Sequence, residues 1–306
     1  MQAAGHTTDT IAESASIVRS GVLKTSFSVE PIAPTIGVEI GNIDLTVPLD
    51  DDQYAALRAA LLEHKLLVFR DQDISAEQQV ALARRFGELE VHPVFPQHPD
   101  HPELVVLGGD GKIPGRENIY HSDVSWRARP SMGSMLRCLE CPKVGGDTIW
   151  VNMAAAYAKL PQDTRDALEG LLAVHDLLPA FGTRMTPEER EARRAAFPPA
   201  VHPVVRTHPE TSERVLYVNE AFTTHLVNFV EKHEVRYGFD FRLAEMDLLQ
   251  YLYRQAAVPE HQVRLKWRPN TIAFWDNRST QHYAIQDYFP ARRRMLRATI
   301  IGDRPV

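Results

Sequence analysis

Cysteine is scarce in this sequence. The 306 residues include two, Cys138 and Cys141, in the stretch RCLECP. A C-x-x-C pair can be a redox pair or half of a zinc site, but no second pair is present to complete such a site. In an apolar, strand-like stretch, positions i and i+3 also point to opposite faces. We therefore interpret these residues as two unrelated thiols and expect a disulfide-free, cytoplasmic protein.

Long apolar runs and an excess of basic residues are also missing. No apolar run approaches the length of a membrane span, and the N-terminal stretch lacks the charged start and apolar centre of a secretory signal. A formal net charge of −6 gives no basic stripe for nucleic acid or an anionic membrane. The sequence thus predicts neither a nucleic-acid partner nor a membrane partner. It leaves open whether the protein is a homo-oligomer.

No internal repeat or low-complexity linker divides the chain. The composition, 44% hydrophobic and 24% charged, permits a sizeable core. The N-terminal residues are small and polar. We expect a loosely ordered extension over residues 1–27 and a single domain over residues 28–306.

Short strands are the commonest pattern after about residue 90. Examples are PELVVLGG, IYHSDVSW, SMGSMLRCLE, GGDTIWVN, AVHPVVRTH, RVLYVN, HQVRLKW, NTIAFWDN and MLRATIIGD. Capping patterns and apolar stripes predict helices over 50–65 and 75–87, and further helices are expected at about 153–173, 186–196 and 242–256. Many short strands with few helices predict a mainly β fold, an antiparallel sandwich or barrel with flanking helices.

The stretch NIYHSDVSW, residues 118–126, contains a histidine and an aspartate two positions apart. In a strand, His121 and Asp123 would point to the same face and supply two thirds of a metal site. Three other pairs share this spacing: His98 with Asp100, His101 with Glu103, and His208 with Glu210. Each has proline between its members, which is a poor residue for a central strand. We interpret those three pairs as parts of loops and not as metal ligands.

A candidate third ligand, His282, lies far downstream and is followed by Arg293 and Arg297. Two histidines and one carboxylate on one face of an iron form the facial triad of non-haem Fe(II) oxygenases, which leaves coordination positions open. A 2-oxo acid can chelate two of these positions. Its remote carboxylate then needs a cation, and a guanidinium binds it through two parallel hydrogen bonds.

Five motifs in order and at matching spacing resemble the taurine dioxygenase family of Fe(II)- and 2-oxoglutarate-dependent enzymes. They are YHSDVSW, GGDTIWVN, HPVVRTHPET, LYVNEAFTT and WDNRSTQHYAIQDYFPARRRMLRATIIGDRP. The resemblance runs from about residue 28 to the C-terminus. It implies a double-stranded β-helix (jelly-roll) core, Fe(II), 2-oxoglutarate as cosubstrate, O2, and a small anionic substrate.

The resemblance also implies roles for individual residues. His121, Asp123 and His282 match the iron ligands, and Thr148 and Arg293 match the residues that bind the cosubstrate carboxylate. Arg297 is expected to contribute to both the cosubstrate site and the substrate site. With His92 it matches a basic pair at the anionic head of the substrate. The remaining substrate-site positions are Phe95, Glu117, Asn118, Val124 through its backbone N–H, Phe181 and Phe222.

The pattern departs from the family around the amino end of taurine. Phe95 stands where the family has tyrosine, and Ala180 where it has serine. The family's asparagine aligns with Glu117, while Asn118 lies one place later. We therefore expect an anionic substrate whose tail is less polar than that of taurine. Taurine itself stays open, because the Glu117 carboxylate can pair with an amine. The segment 230–245 is longer than in relatives, and we expect it to reshape the mouth of the pocket.

The implied reaction hydroxylates the carbon next to the sulfur group of an organic sulfonate or an alkyl sulfate. It releases sulfite or sulfate together with an aldehyde, succinate and CO2. Three alternatives stay open: the same chemistry on a carboxylate such as an aryloxyalkanoate or a biosynthetic acid, a zinc hydrolase on a similar barrel, and a non-catalytic binding protein. Zinc accepts the same ligands, but it does not account for Arg293 together with Thr148.

Overall fold

The fold is described from a computed structural model that covers residues 27–112, 118–232 and 239–306. The predicted extension, residues 1–27, lies outside these ranges except for Phe27, whose side chain is buried in the core. Within the described ranges, no helix is both long enough and apolar enough to cross a membrane.

Fifteen strands and eight α-helices are found in the described ranges. The strands are β1 (Ser28–Pro31), β2 (Val38–Gly41), β3 (Leu66–Phe69), β4 (Leu104–Leu107), β5 (Ser131–Glu140), β6 (Thr148–Asn152), β7 (Leu172–His175), β8 (Ala200–Pro203), β9 (Val205–Thr207), β10 (Arg214–Leu216), β11 (Thr223–Leu226), β12 (Gln262–Leu265), β13 (Ile272–Asp276), β14 (Thr280–Ala284) and β15 (Arg294–Ile301). The α-helices are α1 (Asp51–His64), α2 (Ala76–Arg84), α3 (Met153–Ala158), α4 (Gln162–Leu168), α5 (Leu178–Phe181), α6 (Pro187–Ala196), α7 (Phe229–Lys232) and α8 (Phe239–Arg254).

The strands form one large sheet and three small ones. The large sheet has the order β1-β2-β3-β13-β5-β15-β4, and within it only β2 and β3 run parallel. The small sheets have the orders β12-β6-β14, β11-β7-β8 and β10-β9. Several strands that are adjacent in the large sheet are far apart in the sequence, as in β13 between β3 and β5. This is the non-local pairing of a β-sandwich or jelly roll.

A buried apolar layer joins the large sheet to the sheet β12-β6-β14. Trp150 of β6 and Val263 of β12 pack in it against Trp275 of β13 and Met295 of β15, all at most 4% exposed. Helices α1 and α2 cover the other face of the large sheet through residues such as Leu57. The prediction of a mainly β fold with flanking helices around a jelly-roll core is confirmed.

The helix predictions are confirmed at four of five places. Both N-terminal helices begin with a capping box, Asp50 with Gln53 and Ser75 with Gln78, and α6 and α8 lie where helices were expected. The single helix predicted over 153–173 is wrong. Pro161, which cannot donate the backbone hydrogen bond of a helix interior, separates α3 from α4, and strand β7 begins at Leu172.

The two cysteines are free, as expected. Cys138 is buried in β5, and Cys141 follows the end of that strand and is partly exposed. Burial, and next the neighbouring thiol of Cys141, raise the pKa of Cys138 well above its usual value. The Cys138 thiol is therefore inert at neutral pH. The two thiols are neighbours and not the separate groups that the strand pattern predicted.

Candidate active site

His121 and His282 lie directly opposite each other. They form an isolated antiparallel bridge in which His121 N donates to His282 O at 3.1 Å and His282 N donates to His121 O at 2.8 Å. β14 carries His282 and is held by β6 along its length. This backbone pairing brings the two imidazole rings to 4.1 Å between centroids.

The strand predicted over IYHSDVSW is wrong beyond His121. Residues 123–126 form a turn, and Val124 has the left-handed φ of 48°, which is rare for a β-branched residue and is often found at functional sites. His121 and Asp123 converge because the chain turns, and not because both face the same side of a strand. Nothing in the local sequence predicts a left-handed valine.

Asn277, at the end of β13, holds the turn in place. Its Oδ1 accepts from Asp123 N at 2.7 Å, and its Nδ2 donates to Asp123 O at 3.0 Å and Ser131 O at 3.2 Å. Sequence reasoning missed this residue because its partners are about 150 positions away.

The three predicted metal ligands converge around one gap. Nε2 of His121 and Nε2 of His282 lie 3.7 Å and 3.9 Å from Oδ1 of Asp123, too far for a hydrogen bond. Among the described residues these three form the group whose ligand atoms all lie within 4.8 Å of one another. The other carboxylate oxygen, Oδ2, accepts from Ser134 Oγ at 2.9 Å, so Oδ1 is directed to the gap.

The charge states of the ligands suit a metal ion. Burial alone would raise the pKa of Asp123, but Arg297 and then the two imidazoles hold it well below its usual value. Burial, and next His121, lower the pKa of His282 to about 3. Nδ1 of His121 lies 2.9 Å from Ile119 O, which favours the tautomer with the Nε2 lone pair facing the gap. An ionised carboxylate and neutral imidazoles are the forms that bind metals, and this donor set fits Fe(II).

The residues predicted for the cosubstrate lie beside this gap. Thr148 begins β6, Arg293 precedes β15, and Arg293 Nη2 donates to Thr148 Oγ1 at 3.4 Å. Arg297, within β15, donates from Nη1 to Asp123 Oδ1 at 2.7 Å. The three side chains are buried and line one cavity with the triad. About 760 Å³ of space free of protein atoms lies in the cavity and its mouth, part of it open to solvent.

Most of the predicted substrate residues line the same cavity. His92, Phe95, Val124 and Phe222 do so directly, and Phe181 packs edge-on against Phe95 with ring centroids 5.6 Å apart. These aromatic rings give one side of the cavity an apolar wall.

Two predicted positions do not line the cavity, and a third is not described. Asn118 and Ala180 are exposed and are not among the cavity-lining residues. Glu117 lies outside the described residues. Residues 233–238, part of the segment 230–245 that was expected to reshape the pocket mouth, also lie outside them. The expectation of a less polar tail therefore depends on Phe95 and not on Ala180.

The expected basic pair is corrected in one respect. Burial, and next Arg297, lower the pKa of His92 to about 3, so its imidazole is neutral at pH 7. Its Nδ1 accepts from Val94 N at 3.2 Å and Phe95 N at 3.3 Å, which leaves Nε2 as the protonated donor. Arg297 is the cation of this pair, and His92 supplies a neutral N–H.

Sequence reasoning missed part of the cavity wall. The additional lining residues are Leu107, Gly108, Trp126, Leu136, Trp275, Ala284, Gln286 and Tyr288. They come from strands and loops that only the sheet pairing brings together, so no local motif indicated them.

Comparisons with known proteins agree with this geometry. The sequence pattern of the family described as "Taurine catabolism dioxygenase TauD, TfdA family" matches residues 28–299. An "Alpha-ketoglutarate-dependent sulfate ester dioxygenase" of Pseudomonas putida is 35% identical, over 91% of this chain and 90% of the relative. An "Alpha-ketoglutarate-dependent 2,4-dichlorophenoxyacetate dioxygenase" of Cupriavidus pinatubonensis is 31% identical, over 90% of this chain and 98% of the relative.

A solved structure shows the same fold. The crystal structure of a taurine dioxygenase from Burkholderia xenovorans superposes with a TM-score of 0.76 at 38% sequence identity, covering 92% of this chain and 91% of that one.

Proposed function

Because this chain belongs to the TauD/TfdA family and is an Fe(II)- and 2-oxoglutarate-dependent dioxygenase, we propose that it oxidises an organic sulfate ester or sulfonate. The attacked carbon is the one next to the sulfur group. The products are an aldehyde, sulfate or sulfite, succinate and CO2. The sulfate ester dioxygenase of Pseudomonas putida, similar over nearly its full length, supports this substrate class.

In this proposal His121, Asp123 and His282 bind the iron, and Arg293 with Thr148 binds the remote carboxylate of 2-oxoglutarate. When bound, Fe(II), 2-oxoglutarate and O2 supply the oxidising chemistry through decarboxylation of the cosubstrate. The protein residues hold the reactants, exclude water and place the carbon to be oxidised next to the metal.

The substrate proposal depends most on the position of Arg297, a buried cation beside the metal ligands. Arg297 is 5% exposed, and it lines the cavity beside the triad. Nη1 is engaged by Asp123, while Nε has no hydrogen-bond partner among the described residues. A buried donor of this kind costs about 1–3 kcal/mol unless it is satisfied. A sulfate or sulfonate oxygen would satisfy it, and the neutral N–H of His92 supplies a second donor.

The apolar wall supports an alkyl tail over the aminoethyl tail of taurine. Phe95 faces the cavity with its ring 5.7 Å from the guanidinium carbon of Arg297, and it has no hydroxyl to hydrogen-bond an ammonium. Each methylene that becomes buried contributes about 0.8 kcal/mol, which is roughly a fourfold gain in affinity.

The test is oxygen consumption by the Fe(II)-loaded protein with 2-oxoglutarate and a matched panel of hexyl sulfate, hexanesulfonate, taurine and phenoxyacetate. We expect the two hexyl substrates to exceed taurine, with sulfate or sulfite formed in a one-to-one ratio to succinate. A preference for phenoxyacetate would favour the carboxylate alternative, which the 2,4-dichlorophenoxyacetate relative supports.

A single substitution tests the tail argument. Phe95→Tyr adds a hydroxyl to the cavity wall and should shift the ratio of kcat/KM toward taurine. Phe289→Tyr is the matched control, because it makes the same chemical change on a ring that is 51% exposed and not among the cavity-lining residues. If wild-type protein already prefers taurine, the tail argument is wrong while the class of enzyme stands.

The cytoplasmic location, the absence of nucleic-acid and membrane partners, and the oligomeric state stay predictions for the protein in solution. Size-exclusion chromatography with light scattering measures the last of these.

A further inference from the structure

An indole ring lies directly behind the Thr148 hydroxyl. Trp267 follows β12 and is 4% exposed, and its Nε1 donates to Thr148 Oγ1 at 2.9 Å. Thr148 lines the cavity, whereas Trp267 is not among the lining residues. Any effect of this indole on a bound molecule must therefore act through a residue that does reach the cavity.

The hydrogen bonds around Thr148 Oγ1 define the direction of its hydroxyl hydrogen. A threonine hydroxyl has one hydrogen to donate and two lone pairs to accept with, whereas an indole N–H and a guanidinium can only donate. Trp267 Nε1 at 2.9 Å and Arg293 Nη2 at 3.4 Å both point at Oγ1. Together they occupy its two acceptor positions.

The hydroxyl hydrogen is then left for a third partner. No residue in the described part of the chain accepts a hydrogen bond from Thr148 Oγ1. Because the residue lines the cavity and is 2% exposed, an acceptor bound in the cavity is the remaining partner. A carboxylate is such an acceptor.

We propose that Trp267 is a positioning residue for the cosubstrate, because its indole N–H fixes the Thr148 hydroxyl as a donor to the remote carboxylate of 2-oxoglutarate. This inference depends on the proposed function, in which Thr148 and Arg293 bind that carboxylate. Without the indole N–H, the hydroxyl can rotate and donate elsewhere, so the carboxylate loses an oriented partner.

The ring of Trp267 has a second, separable contact. The guanidinium carbon of Arg293 lies 5.9 Å from the centre of the ring, within the range of a cation–π interaction. Phenylalanine keeps an aromatic ring for this contact and removes only the N–H. Trp267→Phe therefore tests the hydrogen bond to Thr148 and not the aromatic support of the arginine.

The experiment measures 2-oxoglutarate binding in two ways. One is the KM for 2-oxoglutarate in the Fe(II)-loaded full chain. The other is the Kd from calorimetry on the Mn(II)-loaded full chain, which requires no turnover. For Trp267→Phe we expect both constants to rise about threefold to tenfold, the effect of one lost hydrogen bond. With saturating 2-oxoglutarate, kcat and the KM of the prime substrate should stay within about twofold of wild type.

A double-mutant cycle tests whether the effect passes through Thr148. Thr148→Val removes the hydroxyl and should weaken 2-oxoglutarate binding at least as much as Trp267→Phe. The double variant should then bind no more weakly than Thr148→Val alone, because the two residues act as one unit. If Trp267→Phe does not fold, Trp267→Tyr removes the same indole N–H and is held to the same expectation.

Trp150→Phe is the matched control for the loss of an indole. Trp150 is fully buried nearby, and its Nε1 has no hydrogen-bond partner in the described part of the chain. Its replacement should leave the Kd of 2-oxoglutarate unchanged.

The outcomes separate this inference from the site assignment. If Thr148→Val weakens 2-oxoglutarate binding and Trp267→Phe does not, Trp267 has no positioning role while the site assignment stands. If neither Thr148→Val nor Arg293→Gln changes the Kd, the assignment of the cosubstrate site itself is wrong. Additive effects in the double variant would show that Trp267 acts independently of Thr148, which also overturns the proposal.

Discussion

Two clusters in this protein contain the same types of side chain, namely histidine, carboxylate and arginine, and differ in whether their polar atoms face one another or an open gap. The open cluster consists of His121, Asp123, His282 and Arg297. The closed cluster consists of His208, Glu210, Asp276 and Arg278. In both, an arginine lies beside an aspartate that is at most 3% exposed and helps to hold the pKa of that carboxyl well below its usual value.

In the closed cluster the hydrogen-bonding atoms face protein partners. His208 Nε2 lies 3.0 Å from Asp276 Oδ2, and Arg278 binds both carboxylate oxygens, at 2.9 Å and 2.7 Å. In the open cluster both imidazole Nε2 atoms stop 3.7–3.9 Å from Asp123 Oδ1. Ligand bonds to a metal are about 2.0–2.2 Å long, so this separation fits an ion between the ligands. The spacing of the atoms, and not the residue types, distinguishes a metal site from an internal ion pair.

The largest expected effect separates the two clusters by activity. His282→Ala should abolish substrate-dependent succinate formation and weaken metal binding by more than about 100-fold, since even residues that only support metal ligands cost 10–100-fold. His208→Ala is the matched control, because it removes a buried histidine from the closed cluster, and its metal affinity should equal that of wild type. Metal content after dialysis and succinate yield measure both. Normal turnover by His282→Ala would remove this residue from the triad.

The second expected effect is a loss of stability when the closed cluster is broken. Asp276→Ala leaves the guanidinium of Arg278, which is 5% exposed, without its buried carboxylate. Breaking a buried pair lowers the free energy of unfolding by about 3–5 kcal/mol. We expect the lower end of that range, because Glu210 still accepts from Arg278 Nη1 at 2.6 Å.

Urea unfolding of the metal-free protein provides the measurement for Asp276→Ala. The double variant with Arg278→Leu is the control, and it should recover part of the loss because no uncompensated charge remains. A loss below about 1 kcal/mol in the single variant would mean that water reaches Arg278 and that the cluster is not closed.

The sequence predicted the members of the open cluster but not its geometry. His121, Asp123, His282 and Arg297 were identified because the order and spacing of several motifs agree with one chemistry. The turn at Val124 was not predicted, because a strand was assigned from β-forming residues alone. Tertiary contacts override local propensity here: Asn277 fixes the backbone of Asp123 from another strand.

The closed cluster was only partly foreseen. His208 and Glu210 were separated from the metal ligands because Pro209 interrupts them, but their partners Asp276 and Arg278 were not identified. These residues lie 66–70 positions downstream of His208 and Glu210, and only the folded chain places them together. The same reason explains why the Trp267–Thr148 contact could not be predicted from sequence.

A third expected effect compares Arg293, which is proposed to bind the cosubstrate, with Arg278 of the closed cluster. Arg293→Gln removes the charged fork proposed to bind 2-oxoglutarate. Charge-assisted hydrogen bonds are worth about 1.5–3 kcal/mol each, so the KM for 2-oxoglutarate should rise about tenfold or more. Arg278→Gln removes an equally buried guanidinium from the closed cluster and should leave this KM unchanged while lowering stability. An unchanged KM in Arg293→Gln would show that another cation binds the cosubstrate.

The smallest expected effect concerns the stability of the protein at acid pH. It involves His202, a buried histidine that contacts the turn containing Asp123. Burial lowers the pKa of His202 to about 4, and its Nε2 lies 2.9 Å from Ser125 O and 2.9 Å from Arg127 O. The unfolded chain, with an ordinary histidine pKa of about 6.5, binds a proton before the native state does. The stability contributed by neutral His202 is therefore complete above about pH 6.5 and is lost as the pH falls toward 4. The slope for this one group is at most about 1.4 kcal/mol per pH unit.

Replacing this histidine tests the source of the slope. His202→Gln should be less stable than wild type at pH 7.5, because the amide replaces the imidazole hydrogen bonds imperfectly. Between pH 6.5 and 5 its stability should fall less steeply, by up to about 1.4 kcal/mol per pH unit. Urea unfolding of the metal-free proteins at pH 7.5, 6.5, 5.75 and 5 gives both slopes. Parallel curves for wild type and variant would show that His202 does not titrate on unfolding, and the acid sensitivity would then have to arise in other buried groups such as His92, His175 and His282, whose pKa values are also lowered.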